Sequence, residues 1–372
     1  MENERILFCR PCYGLNDMLV HIEKCYQYCR KYKRKLYVDG TVSHGGFLDD
    51  FSNYFIPLDE AISFDKIDFL TPPFDVFPKC LYNDLYNYDI YVNKETTLRM
   101  TKDGNILTFD FKKNYEEQIL VHVQGSGADT GILALAKLGL KEDVKLHIKN
   151  IIDSIKKQSG NKGKYDAIHV RNTGYKTDYK SYFSEIKNKL NKLTVICTDD
   201  YVCQQYAKIF FGERIMSVTD IPDLSSCPIK NLEGNNYIDR HKTNVDTLTD
   251  LLILACAEKI YHSPNYGGYY SNVELDPEKE PIMWYVRQGI KSGFLTLAEN
   301  LHGNKRIIDN MLYKNNYSYF SYHFALFECH LRYVFARMLY ILHKVFTLFL
   351  DKGILYTIKY IYCRLFNKKL QN

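Results

Sequence analysis

What this chain of 372 residues lacks narrows what it can be. No stretch of about 20 residues is apolar without an interrupting charge, which argues against a membrane-spanning helix. The start, Met1-Glu-Asn-Glu-Arg5, is charged and the apolar run after it is only a few residues long, so no secretory segment is expected there. The eleven cysteines, an odd number spread from Cys9 to Cys363, follow no regular framework. That pattern predicts reduced thiols in a cytoplasmic setting. No short internal repeat is visible. The chain also has no basic body: from Arg332 onward eight basic residues face Asp351 alone, a net +7, which leaves −2 for the rest of a chain whose formal charge is +5. A nearly neutral globule with a basic, apolar tail is a poor nucleic-acid protein.

What is present reads as a globular α/β chain, with 46% hydrophobic and 25% charged residues. Its length suggests two domains and an appendage, placed at 1–150, 151–300 and 301–372. Ile6-Leu-Phe8 reads as a strand, Met18 to Lys33 as an amphipathic helix and Lys35-Leu-Tyr-Val38 as a second strand, which together form a βαβ unit. Residues 73–115 have no assignable pattern. Ile119 to Val123 is a further strand, and Thr130 to Ser159 has a helical period interrupted at Gly139. A second α/β series follows, with strands at Ala167 to Val170, Thr194 to Cys197 and Lys259 to Tyr261, and helices at Ser181 to Leu190, Val202 to Phe210 and Thr247 to Ala257.

The polar residues that carry chemistry cluster at the ends of these strands. His169 and Arg171 alternate around Val170, so both leave the same side of an extended segment. At the carboxyl end of a parallel sheet, a guanidinium can hold phosphate oxygens bidentately. The same pattern also describes a strand end with two exposed polar residues. Thr198-Asp199-Asp200 follows the next strand, where a carboxylate accepts ribose or base N–H donors or else caps the helix that begins there. Asp246 to Asp250 enters an apolar helix with the same ambiguity. Ser263-Pro-Asn-Tyr-Gly-Gly268 follows a strand with small residues, which lets backbone N–H groups approach an anion. Cys9, Cys12, Cys25 and Cys29 have a spacing compatible with a four-thiolate zinc site, and equally with buried free thiols.

Taken in order, these motifs resemble the inverting fucosyltransferases with two facing Rossmann-like domains, the group of α1,6-, nodulation and protein O-fucosyltransferases, and within it bacterial polysaccharide-assembly members. The resemblance spans about residues 5 to 290. It implies a GT-B-like α/β fold, an acceptor-side domain at 1–150, a nucleotide-sugar domain at 151–300 and a helical, basic amphipathic tail at 301–372. GDP-fucose would be the donor and a glycan the acceptor, with no cofactor and no metal required. The roles it carries over place Arg171 on the β-phosphate with His169 beside it, Thr198, Asp199 and Asp200 on the nucleoside, and Asp250 on guanine; Thr173 is a further donor-binding candidate and Lys176 a helper to Arg171. Asn265, Tyr266 and Gly267 fall on the phosphate loop, and Gly14 and Asn16 on a first loop facing the donor. Three residues depart from the pattern: Gly174 stands where an Asp is frequent, Pro264-Asn-Tyr266 replaces a serine-rich loop, and Asp17 replaces a frequent Asn. Asp178, close to the spacing at which related enzymes place a base, is the candidate to compensate for Gly174. Use of another nucleotide sugar and a non-catalytic, nucleotide-sugar-binding membrane scaffold remain open. So do two readings of the tail, either an interfacial helix on the inner face of a membrane, with basic groups toward anionic lipid, or a helical pair packed on protein.

Overall fold

A computed structural model describes residues 4–41, 47–93, 95–125, 130–160, 162–172, 177–190, 193–223, 239–263, 292–313 and 319–365. The strands are β1 (Ile6–Pro11), β2 (Lys35–Val38), β3 (Phe55–Pro57), β4 (Ile62–Ser63), β5 (Val76–Phe77), β6 (Tyr91–Val92), β7 (Arg99–Met100), β8 (Ile119–Gln124), β9 (Leu138–Leu140), β10 (Asp166–Val170), β11 (Thr194–Thr198), β12 (Ile215–Met216) and β13 (Ile260–His262). The helices are α1 (Leu15–Tyr32), α2 (Gly131–Leu135), α3 (Glu142–Ser159), α4 (Tyr179–Ile186), α5 (Tyr201–Phe211), α6 (Arg240–Cys256), α7 (Gly293–His302), α8 (Lys305–Leu312) and α9 (Tyr319–Leu365).

Two parallel sheets organise the molecule. The first has the order β4-β2-β1-β8-β5, and the second β12-β11-β10-β13. The central strands β1, β8, β10 and β11 are near-continuous apolar runs because both faces of each sheet are covered, one face of the first sheet by Ile67, Leu81, Leu85 and Leu107 rather than by an α-helix. In each sheet the order reverses beside the central strand, between β1 and β8 and between β10 and β13. A crevice opens outside the carboxyl ends of the strands at such a reversal, and that is where ligands of open α/β sheets bind.

The helical period across residues 130–159 does not produce one helix. Lys137-Leu-Gly-Leu140 leaves it as β9, antiparallel to β3, with Leu138 and Leu140 buried. A partner some eighty residues away decides this segment, and local periodicity cannot report such a partner. The long, weakly patterned 73–115 region supplies β5 to the first sheet and a small hairpin of β6 and β7. Helix α6 begins at Arg240, capped by the Asp239 side chain, several residues before the expected start at Thr247. Its first two turns are largely polar, which conceals their helical period.

One apolar core joins the two halves. Leu7 of β1, Ile148 and Ile152 of α3, Leu251 and Leu252 of α6, Leu301 of α7 and Ile307 and Met311 of α8 belong to it. Helix α9 begins against the same body: Tyr322, Ala325 and Cys329 are buried, and Tyr322 donates a hydrogen bond to Asp59 at 3.2 Å. Farther along, Leu331, Val334, Phe335, Met338, Leu342, Phe346, Leu350 and Ile354 are all exposed. Gly353, at φ +79°, breaks the helical geometry, a conformation that glycine adopts without steric cost. Among the described residues no helix is long and apolar enough to cross a membrane.

Candidate functional site

The second crevice lies at the carboxyl ends of β10, β11 and β13. His169 on β10 is paired in register with His262 on β13, and Ser263 follows at the mouth, its N–H donating to the His169 carbonyl at 3.3 Å. Ser263 is 5% exposed, and among the described residues its hydroxyl has no hydrogen-bond partner. Burial, then the charge of Arg171 and then His262, holds the His169 imidazole down to about 3. It is therefore neutral at physiological pH and offers one donor and one acceptor. Arg171, one residue past the strand, is half-exposed, with Nε 4.0 Å from Asp199.

Asn172 organises the loop behind that arginine, and the sequence reading missed it. Its backbone N–H donates to Asp199 at 2.8 Å, its side-chain amide donates to Asp200, and its carbonyl oxygen accepts from the Thr177 N–H at 3.2 Å. Thr177 in turn donates to the Arg171 carbonyl at 2.7 Å. The first residues after β10 are thereby tied to the end of β11. An Asn inside a polar loop is a local signal for such side-chain turns, though it does not reveal which carboxylates it will meet.

The two acidic residues after β11 divide their roles. Asp200 is buried and caps α5, accepting from the Val202 and Cys203 N–H groups at 2.8 and 3.3 Å; the Thr198 hydroxyl accepts from its N–H at 3.3 Å. With Asn172 added, that carboxylate is committed to holding the fold. Asp199 is half-exposed and faces Arg171. Asp250 lies in the third turn of α6 and does not lead the helix as expected. The half-buried Asp250 accepts from the Thr219 hydroxyl at 3.1 Å, and its backbone carbonyl accepts from Cys197 of β11 at 3.9 Å. Burial pushes its carboxyl up to about 8, against the opposing Thr219 bond, so it is largely protonated at neutral pH. Asp178 caps α4 and accepts from the Ser181 N–H at 3.1 Å; these bonds hold its carboxyl below the usual range. It is fully exposed and ionised at neutral pH. Thr173, Gly174 and Lys176, like Asn265, Tyr266 and Gly267, lie outside the described residues.

The first unit reaches this crevice through α1. Gly14 precedes the helix, and Asn16 in its first turn is 4% exposed. A Cβ on Gly131 would lie 2.5 Å from the Asn16 side-chain oxygen, and one on Gly293 would lie 3.0 Å from its nitrogen. These two glycines make room for the asparagine. Phe294, the next residue, stacks on His169 with ring centroids 5.6 Å apart. Asn16 and His169, from opposite halves of the chain, therefore meet consecutive residues at the start of α7. Gly293 and Phe294 carry no motif, and only the tertiary structure identifies them.

The first crevice holds its own arginines. Arg10 is buried, with Nε 2.9 Å from Asp39, Nη1 donating to the Tyr86 carbonyl at 3.3 Å and its guanidinium 4.9 Å from the Tyr88 ring. Arg99 is fully buried, 4.6 Å from the centre of the Tyr13 ring, and its three guanidinium nitrogens have no hydrogen-bond partner among the described residues. It lies in the 73–115 stretch, where no pattern announced it.

Cys9, Cys12, Cys25 and Cys29 do not form a four-thiolate set. Cys9, Cys25 and Cys29 belong to the main core, while Cys12 lies in a second apolar cluster with Phe8 and Val121. The sulfur of Cys12 faces the Arg10 carbonyl.

No protein-family model matches the chain, and no curated protein matches it. Among solved structures the chain is similar to NodZ alpha-1,6-fucosyltransferase co-crystallised with GDP and to the same enzyme soaked with GDP-fucose. Each is 16% identical, covers 80% of this chain and 92% of that one, and has a TM-score of 0.49. Fucosyltransferase NodZ from Bradyrhizobium is similar at the same identity and TM-score, with 93% of that chain covered.

Proposed function

We propose that this protein is a glycosyltransferase of the fucosyltransferase type, moving fucose from GDP-fucose to a glycan acceptor with inversion, in surface polysaccharide or glycolipid synthesis, on a GT-B-like pair of domains. The observation that carries this reading is the crevice where β10 and β13 part. Arg171, a neutral His169 and the Ser263 hydroxyl gather there, with Asn16 of the other unit one residue from the His169 contact. Arg171 supplies the charge-assisted grip on a diphosphate, and His169 adds a hydrogen bond without placing a second cation beside it. Asp199 serves the nucleoside. Asp250 matches the N–H edge of guanine once it ionises. Charge developing on departing GDP is met by Arg171, with Lys176 as a helper, which needs no metal.

Asp178 is proposed as the base that takes the acceptor proton, a role worth roughly 10²- to 10⁴-fold in rate. Its ionised state suits it to that task. A donor panel tests the assignment. GDP-fucose should be the nucleotide sugar from which nucleotide is released in an acceptor-dependent way, and the anomeric configuration of the product should be inverted. Release from a different donor would move the specificity within the fold, and GDP binding without release from any donor would favour a non-catalytic binder.

The exposed apolar side chains of α9 support a peripheral position on the inner, anionic face of a membrane. The sequence from Arg332 onward supplies the basic residues that such a surface requires. Flotation with anionic vesicles should require residues 331–372 and weaken with salt. Equal recovery with neutral vesicles or with the shortened chain would remove this part of the proposal.

A further inference from the structure

Beneath α1, well inside the first unit, three metal-ligating side chains converge with a fourth beside them, and none plays a part in the crevice chemistry. Cys9 on β1 and His122 on β8 are partners in the parallel register, so both leave the same face of the sheet. Helix α1 crosses that face, and His21 and Cys25, four residues apart, project together from its inner side. Cys9, His21 and Cys25 are fully buried and His122 is 4% exposed. The ligand atoms of Cys9, His21 and Cys25 all lie within 4.8 Å of one another. The Cys25 sulfur is 3.6 Å from His21 Nε2, and His122 Nδ1 is 3.1 Å from the same nitrogen.

Zinc–sulfur bonds of about 2.3 Å and zinc–nitrogen bonds of about 2.0–2.1 Å place tetrahedral ligand atoms roughly 3.3 to 3.8 Å apart; the 3.6 Å contact of Cys25 with His21 is on that scale, and His122, beside the three-residue cluster, would close in as the fourth ligand. Two thiolates also neutralise a divalent ion, so the filled site would bury no net charge. The two imidazoles lie with centroids 4.7 Å apart, and His122 packs against Phe109 and Phe111. We propose that Cys9, His21, Cys25 and His122 form a structural zinc site that pins α1 to β1 and β8. Because α1 presents Asn16 to Gly293, the site would also fix the first unit's contribution to the crevice.

The test is metal analysis of the full chain purified under reducing conditions from zinc-supplemented cells. Zinc should be stoichiometric, should survive dialysis against a weak chelator, and should fall to background in Cys25→Ser. Cys80→Ser, at an exposed thiol, should retain it. Cobalt substitution should give thiolate-to-cobalt charge-transfer and intense tetrahedral d–d bands in the wild-type chain. If Cys25→Ser fails to fold, the wild-type metal content and cobalt spectrum decide, and His122→Gln should weaken zinc affinity by about tenfold or more. Wild-type protein that holds no stoichiometric zinc and develops no such bands overturns the site. So does a Cys9–Cys25 disulfide in the reduced preparation, or Cys25→Ser with wild-type zinc content. None of these readouts depends on the donor or on turnover.

Discussion

The two strand-end crevices use their arginines in opposite ways. At the first, Arg10 is enclosed, ion-paired to Asp39 and covered by Tyr86 and Tyr88. At the second, Arg171 is half-exposed with its Nε 4.0 Å from Asp199. A cation ion-paired in the interior braces a fold, whereas one half-exposed at a strand reversal stands where an anion can reach it. The likeness in topology thus hides a difference in how Arg10 and Arg171 are placed.

The sharpest way to break this comparison is to exchange the losses. Arg171→Ala should weaken GDP binding by roughly 100-fold, since hydrogen bonds to charged groups contribute about 1.5–3 kcal/mol each, while Tm stays nearly unchanged. Arg10→Met should do the reverse, costing about 3–5 kcal/mol in denaturant unfolding because Asp39 is left without its partner. Calorimetric titration with GDP and urea melts of both variants decide, and an Arg171 variant that retains GDP affinity would remove the donor site from the second crevice.

Next in size, Asp178→Asn should lower turnover by about 10²-fold or more with GDP affinity intact, if it is the base. Near-normal turnover with an identified acceptor would return Asp178 to its capping role alone.

A smaller effect concerns Asp250, whose carboxyl stands at about 8. If the ionised form receives the base, GDP affinity should rise with pH up to about 8, level off above it, and be accompanied by proton release, measured by titration in buffers of differing ionisation enthalpy. The linkage to folding has the opposite sign. A raised folded-state value makes the stability contribution of Asp250 complete below the ordinary carboxylate range and progressively lost as pH rises through 8. Asp250→Asn should flatten both dependences.

The smallest expected effect separates the two buried arginines of the first crevice. Arg99→Met should leave Tm unchanged or raise it slightly, because its guanidinium is buried without a hydrogen-bond partner among the described residues. A clear loss of stability would show that the ring of Tyr13 holds it more firmly than its hydrogen bonds suggest.

The sequence was readable wherever local pattern and tertiary environment agree. Lys35–Val38 was placed to the residue, and the other strands of both α/β series to within a few, because buried parallel strands are short apolar runs between turn signals. His169 and Arg171 were legible for the same reason, since strand alternation fixes their common side. The ambiguity between cap and ligand at Asp199 and Asp200 was a real feature of the sequence. Only coordinates could divide it, by placing Asn172 and the α5 N–H groups on Asp200.

By itself, then, the amino-acid order determined two parallel α/β series and the strand ends at which polar residues emerge, because apolar periodicity and backbone sterics act over a few residues. Tertiary structure alone decided which distant groups meet: β9 against β3, Asn16 between Gly131 and Gly293, Phe294 on His169, and His21 with Cys9 and Cys25 in place of four thiols. Such meetings depend on how helices cross sheets, and no local pattern records that.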